Sequence, residues 1–495
     1  MQLDKDYYAL LGISHTASDK EIRQNYRQLA RLYHPDINSA PDAVEKFKDI
    51  QSAYETLRDS GERRKYDHWR AQKGLDRSSA LSLQTITSEK TLRPLDTEQA
   101  FYVLLDIMPI ADLPSARLPI NLALVIDRST SMKGKRLQQV KEAIHYIIDN
   151  LQPEDSLSLV TFSDRAQVLL PSQRNIDKAM AKSMVSTIQP GGATEMFSGL
   201  VAGLEQIKSY WSKTSVNHLI LLTDGHTYGD EKDCVEHAQW AGANQINLST
   251  IGIGNDWNED LLDRMATVSD GTSVYIDSPE KVKNIFGQTL HSLESVLARQ
   301  LKMTVNLTAN VRLHEVYQIK PQITCLEAQG QTIMLGALSA KQEKSILMEF
   351  RIQELAPGER RLMRLTVEGD MPGQSKLRPW DWVELNVNIQ ETPGADFRIP
   401  SPITEGLKNL AIYKMQEKVQ TDIIAGQVKK ATQRLEIIAT RLLDLGEVEL
   451  SRAAMLEAGQ LARTSTLSEE GRKKIRYGTR ALSSKQGSGS ATPPY

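Results

Sequence analysis

Two cysteines in 495 residues, Cys234 and Cys325, are too few for a disulfide framework or a cysteine-rich zinc site, and that scarcity fits a reducing compartment. Charge of one sign is equally missing. Sixty Lys and Arg against 62 Asp and Glu leave a net charge of -2, so bulk electrostatics favours neither nucleic acid nor an anionic membrane surface. No run approaches the roughly 18 uninterrupted apolar residues of a membrane span. The amino terminus, residues 1–8, carries charges where a signal peptide needs an apolar core. Catalytic and nucleotide signatures are also lacking. There is no Gly-x-Ser-x-Gly elbow and no Gly-x-x-x-x-Gly-Lys-Ser/Thr loop, and Gly252-Ile253-Gly254 lacks the third glycine of a dinucleotide fingerprint. These absences point to a cytoplasmic, globular, non-enzymatic chain of roughly three domains at about 150 residues each.

What is present divides the chain by its periodicity. Residues 1–70 are helical in pattern, with Ile22, Tyr26, Leu29 and Tyr33 on one apolar face and Phe47, Ile50, Tyr54 and Leu57 on another. That pattern suits an antiparallel helical hairpin closed by a loop at Pro35. Residues 71–80 read as a linker. Residues 81–115 read as the first strands of a β-sandwich, and 116–298 as a doubly wound α/β domain in which apolar strands at 120–127, 157–162, 218–224 and 246–252 alternate with helices. From Leu301 to Leu313 every second residue is apolar, and the alternation returns at Ile346 to Ile352 and Val383 to Ile389. Residues 299–400 are therefore expected to complete the sandwich around an inserted α/β domain. An α-helical region at 403–482 and a disordered tail at 483–495 close the chain.

The amino-terminal hairpin carries a local charge pattern. Arg23, Arg27 and Arg31 lie four residues apart and stack along one side of a helix that leads to His34-Pro35-Asp36. The first 70 residues hold twelve basic and twelve acidic side chains, so the stripe belongs to a neutral module and suits docking on an acidic protein surface. Asp6-Tyr7-Tyr8-Ala9-Leu10-Leu11-Gly12, the 22–30 segment, His34-Pro35-Asp36, the 47–57 segment and Tyr66-Asp67 resemble, in order, the J-domain of DnaJ-type co-chaperones. The resemblance implies that His34, Pro35, Asp36, Tyr26, Arg27, Arg23 and Arg31 engage a DnaK-type heat-shock ATPase and stimulate it. Ile37 stands where that family usually has a basic residue, and neither a Gly/Phe-rich segment nor Cys-x-x-Cys repeats follow.

A second constellation lies in the α/β segment. One strand ends in Asp127, Ser129 and Ser131, another ends in Asp224, and a glycine-rich loop between two helical segments supplies Thr194. Parallel strands put both carboxylates on the edge where open α/β folds form their ligand crevice. Two carboxylates and three hydroxyls suit a hard cation, Mg²⁺ or else Mn²⁺ or Ca²⁺, rather than zinc. The order of these residues resembles the metal-ion-dependent adhesion site of the von Willebrand factor A domain, and all five ligand positions of that family are present. A Ser129, His226, Asp224 hydrolase is not supported, since adjacency in sequence does not build a triad.

In the carboxyl-terminal helices the apolar spacing is that of a packed core, and the Arg472-Lys473-Lys474 cluster, preceded by Glu469 and Glu470, reads as a solvated helix face. The expected function is that of a cytoplasmic adaptor co-chaperone. It would hold a protein ligand by an acidic side chain through the metal and bring a DnaK-type ATPase to it, with no nucleic-acid or membrane partner. The alternative is a metal-dependent interaction scaffold whose J-domain docks without stimulating the ATPase.

Overall fold

The structure is a computed structural model that describes residues 6–11, 13, 17–34, 43–72, 79–95, 97–110, 117–227, 229–340, 342–353, 355–372, 378–391 and 398–485. The first helices are α1 (Tyr7–Leu10), α2 (Asp19–Leu32), α3 (Ala43–Arg58) and α4 (Ser60–Gln72). Ser18 and Glu21 start α2 with a reciprocal capping box, an arrangement that stabilises a helix start by about 1 kcal/mol. The apolar faces of α2 and α3 meet, with the rings of Tyr26 and Tyr54 stacked at 3.9 Å. Tyr66 from α4 stacks on Tyr7 and accepts the Tyr7 backbone N–H at 2.7 Å, which fastens α1 to the other end of the bundle.

Strands β1 (Leu81–Thr87), β2 (Thr91–Leu92) and β3 (Gln99–Pro109) come next. The α/β domain then runs through β4 (Ile120–Asp127), α5 (Lys135–Asn150), β5 (Ser156–Phe162), β6 (Ala166–Arg174), α6 (Lys178–Ser186), α7 (Met196–Lys208), β7 (Val216–Thr223), α8 (Glu231–Ala243), β8 (Ile246–Ile253), α9 (Glu259–Val268), β9 (Ser273–Ile276) and α10 (Val282–Glu294). Its sheet order is β6-β5-β4-β7-β8-β9, parallel except for the edge strand β6. Leu122, Leu124 and Ile126 of β4 face the core under α5, α6 and α10, while Ala123 and Val125 face α7, α8 and α9. That two-sided burial is why these strands read as continuous apolar runs. Fully burying one such side chain stabilises the fold by roughly 1.5–3 kcal/mol.

Strands β10 (Val296–Leu307), β11 (Val311–Lys320), β12 (Thr324–Cys325), β13 (Ala328–Gln329), β14 (Thr332–Ser339), β15 (Lys344–Ile352), β16 (Gly358–Asp370) and β17 (Trp380–Ile389) follow. Together with the early strands they form two sheets, β1-β3-β15-β11-β12 and β13-β14-β10-β16-β17-β2, packed over one core. The α/β domain is thus inserted between strands β3 and β10 of the sandwich. Four long helices end the chain, α11 (Ser401–Ile424), α12 (Val428–Asp444), α13 (Val448–Thr464) and α14 (Glu469–Arg480), with a last turn α15 (Leu482–Lys485). Ile403, Leu410 and Tyr413 of α11 lie on Leu104, Tyr317 and Leu347 of the sandwich.

Several boundaries differ from the sequence reading. Both ends of the linker expected at 71–80 are structured: α4 reaches Gln72, and Ser79 and Ala80 are buried, with Ala80 donating its N–H to the Arg378 carbonyl, while residues 73–78 lie outside the described ones. Sandwich strand β10 begins at Val296 rather than 299. The disordered tail expected from 483 does not include residues 483–485, which belong to a helical turn; Ser483 is buried and its hydroxyl takes the Asn409 side-chain N–H at 3.2 Å, and residues 486–495 lie outside the described ones. Within the helical region expected at 403–482 the apolar spacing does not show the break at Gly426, whose φ of +71° lets α11 end and the chain turn back into α12; Gly446 repeats the device before α13. Among the described residues, no helix is long and apolar enough to cross a membrane.

Candidate functional site

Strands β4 and β7 are parallel neighbours with Ile126 opposite Leu222, so Asp127, the last residue of β4, and Asp224, the first residue past β7, emerge together at the carboxyl edge of the sheet. Both are almost fully buried, at 0% and 1% exposure. A buried carboxylate must be partnered, and each of these is. Asp127 Oδ1 accepts the Ser129 backbone N–H at 2.7 Å, and Oδ2 accepts the Thr223 hydroxyl at 2.6 Å. Burial pushes the Asp127 carboxyl up to about 6, against the pull of these hydrogen bonds and with the charge of Asp224 adding to the rise. Ser129 and Ser131 bring their hydroxyls within 2.9 Å of each other across a single 3₁₀ turn, and Ser131 donates to Asp224 Oδ1 at 2.6 Å.

Thr194 arrives from the loop before α7. That loop is tied to the site by backbone bonds, Gly191 N–H to the Arg128 carbonyl at 2.8 Å and Thr130 N–H to the Gly192 carbonyl at 3.1 Å. A β-carbon on Gly225 would come within 2.9 Å of Thr194 Oγ1, which places that hydroxyl against the backbone following Asp224. The structure therefore brings Asp127, Ser129, Ser131, Thr194 and Asp224 to one place. Among the described residues there is no group of three or more His, Cys, Asp or Glu side chains placed to hold a metal ion, so any cation here would depend on the hydroxyls as well as the two carboxylates. The donor set is oxygen only, and it fits a hard divalent cation.

Four residues of this centre were not singled out from sequence. Thr223 holds Asp127. Asp164 follows the end of β5 and accepts the Ala193 N–H at 2.7 Å, fixing the loop that carries Thr194. Asp230 accepts the Phe197 N–H at 3.1 Å and the Thr227 hydroxyl at 2.6 Å, so the loop after Asp224 caps α7. Arg136 in the first turn of α5 donates to Asp224 Oδ2 at 2.6 Å. An acid just past a third parallel strand was a readable signal for Asp164; nothing local marks the other three.

At the amino terminus, Arg23, Arg27 and Arg31 are exposed along α2, and Tyr26 turns inward onto Tyr54. His34 meets the Phe47 ring edge-on at 5.5 Å. Pro35 and Asp36 lie outside the described residues.

The Arg472-Lys473-Lys474 cluster is not a solvated face. Lys473 is fully buried over the Trp257 ring, 4.8 Å from its centroid, with its ammonium donating to the Asn255 carbonyl. Arg472 pairs with Glu259 at 2.7 Å, and Arg476 and Arg480 pair with Asp263 at 2.9 and 2.8 Å. Helix α14 is thus clamped onto α9 and the loop after β8.

With this geometry in view, the chain is a J-domain of the DnaJ type joined to a von Willebrand factor type A domain: the DnaJ domain family matches residues 6–67, and the von Willebrand factor type A domain family matches 121–288. A third family, the Sll0103-like C-terminal alpha-helical domain, matches residues 401–485. An uncharacterized protein, sll0103, from Synechocystis sp. is 29% identical over 378 residues, 74% of this chain and 89% of that protein. The chaperone protein DnaJ of Pediococcus pentosaceus is 56% identical over 69 residues, 14% of this chain and 18% of the length of that chaperone. Among solved structures, a von Willebrand factor type A protein from Catenulispora acidiphila shares the fold over 82% of this chain and 97% of its own, with a TM-score of 0.66 at 17% identity.

Proposed function

We propose that this protein is an adaptor co-chaperone that holds a protein partner at a cation in the Asp127, Ser129, Ser131, Thr194, Asp224 cradle and brings a DnaK-type heat-shock ATPase to that partner through its J-domain. The observation that carries this reading is the gathering of five oxygen donors at one sheet edge in a chain that also carries a J-domain. A Mg²⁺ or Mn²⁺ ion bound there would supply an electrophilic open coordination position for an outside carboxylate. The residues of the chain do the rest. Asp127 and Asp224 balance the ion's charge, and the hydroxyls of Ser129, Ser131 and Thr194 complete the cradle without adding charge. Thr223, Asp164 and Asp230 hold those donors in place. On the J-domain, the residues proposed to engage the ATPase are His34, Pro35 and Asp36, with Tyr26, Arg27, Arg23 and Arg31. The chain itself is proposed to catalyse nothing.

Two measurements test the reading. In a DnaK-type ATPase assay the full chain should raise the hydrolysis rate several-fold, and His34→Gln should abolish the rise; equal rates for both proteins would end the co-chaperone reading. In affinity capture, partner retention should disappear with EDTA and with Asp127→Ala while the variant still unfolds cooperatively. Retention in excess chelator would remove the metal from the account.

A further inference from the structure

Arg136 is the one cation among the described side chains bonded directly to the cradle. Its Nη1 lies 2.6 Å from Asp224 Oδ2 and 3.4 Å from the Ser131 carbonyl. The Arg136 side chain is 33% exposed, whereas the Asp224 side chain is 0% exposed, so the arginine reaches from the surface to a buried carboxylate. On the far side the guanidinium rests against Gly254, where a β-carbon would come within 2.9 Å of Nη2. The loop carrying Gly254 is fixed in turn. Trp257 Nε1 donates to the Gly254 carbonyl at 2.7 Å, and Lys473 of α14 donates to the carbonyl of Asn255. Arg136 is therefore held between Asp224 and a braced wall and does not swing freely in solvent.

A guanidinium keeps its charge at any ordinary pH. Its presence changes the arithmetic of the site. Whatever the other charges of the centre, Asp164 and Asp230 among them, Arg136 makes the loaded site one unit more positive than it would be without it. A fixed positive charge a few ångström from the cation repels it, and the same charge adds to the attraction of an anionic group approaching from outside.

We propose that Arg136 weakens the cradle's own hold on the divalent cation by placing one fixed positive charge against Asp224. This rests on the metal-site reading above and deepens it.

The test is calorimetric titration of the full chain with Mn²⁺ alone, at fixed pH and ionic strength, beside Arg136→Gln, Arg136→Ala and Arg136→Lys, with Asp127→Ala as the empty control. The two neutral replacements, of different size, should bind Mn²⁺ about tenfold more tightly than the wild type. Arg136→Lys, which restores the charge, should return to within about twofold of it. A merely structural arginine would give the opposite sign, since its loss would loosen the site. If the wild type binds Mn²⁺ and both neutral variants bind it equally or more weakly, the role given to Arg136 is overturned while the metal site stands. If neither the wild type nor the neutral variants bind, and all match Asp127→Ala, the metal site falls and this inference with it.

Discussion

Single residues decide where the α/β domain is sensitive to acid. His218 sits inside β7, its Nε2 2.9 Å from the Ser249 hydroxyl, and burial holds its imidazole down at about 4. An unfolded histidine titrates near about 6.5, so between these values the unfolded chain binds a proton that the folded chain refuses. Stability from this group is complete above about pH 6.5 and is lost as pH falls toward about 4, roughly 3 kcal/mol in all. His218→Gln, which keeps a partner for Ser249 but does not titrate, should therefore lose less melting temperature than the wild type between pH 7.5 and 5. Parallel curves would refute the assignment. The acidic side chains raised by burial, Asp127 and Asp270, act with the opposite sign but are common to both proteins and cancel in the comparison. At this scale the sequence was partly legible. Asp127, Ser129, Ser131 and Asp224 are marked by their place just past apolar strands, whereas Arg136 and Asp230 acquire their roles only when segments 80 to 90 or about 30 residues apart are folded together.

At the scale of elements, pattern announced the helices and strands but not what covers them. Arg472, Arg476 and Arg480 recur every four residues, the signature of one helix face, and nothing local says whether water or acid lies opposite. The acids are on α9, more than 200 residues earlier: Glu259, Asp260 and Asp263. The same limit explains the missed break at Gly426, because apolar spacing resumes at once in α12 and only the backbone's φ of +71° shows the turn. The α14 clamp has a measurable consequence. Lys473→Ala removes a buried ammonium from Glu259 and Asn255 and empties the space over Trp257, leaving Arg472 as the remaining partner of Glu259. The cost should be about 3 kcal/mol, that of opening a buried pair. Limited proteolysis should then cut within residues 465–485 several-fold faster than in the wild type, and Trp257 fluorescence should shift to the red. Unchanged cleavage and emission would show that the buried lysine contributes nothing to docking.

The molecule as a whole joins a module with its own core to a body that has another. The core of the first 70 residues is closed by its own side chains, from Tyr7 and Ile22 to Leu57 and Tyr66. The α/β domain, by contrast, is bound into its surroundings. Arg299 of β10 donates to the Ser215 carbonyl at 2.8 Å, Tyr477 of α14 donates to Asp263 at 2.7 Å, and the Asp270 carboxylate lies against Gly336 of β14. A self-contained core at the front predicts that the two proposed activities separate cleanly. Asp127→Ala should stimulate the DnaK-type ATPase to within about twofold of the wild type, and His34→Gln should keep wild-type Mn²⁺ affinity. On the proposed function, what the single chain would add is proximity: a partner held on the cation would meet the ATPase at an effective concentration on the order of millimolar, far above that of two separate proteins. The gain comes from tethering alone and requires no signal between the sites. If Asp127→Ala lowered stimulation by more than about twofold in a protein that melts normally, the front module would have to sense the cradle, and independence would give way to a coupling free energy between them.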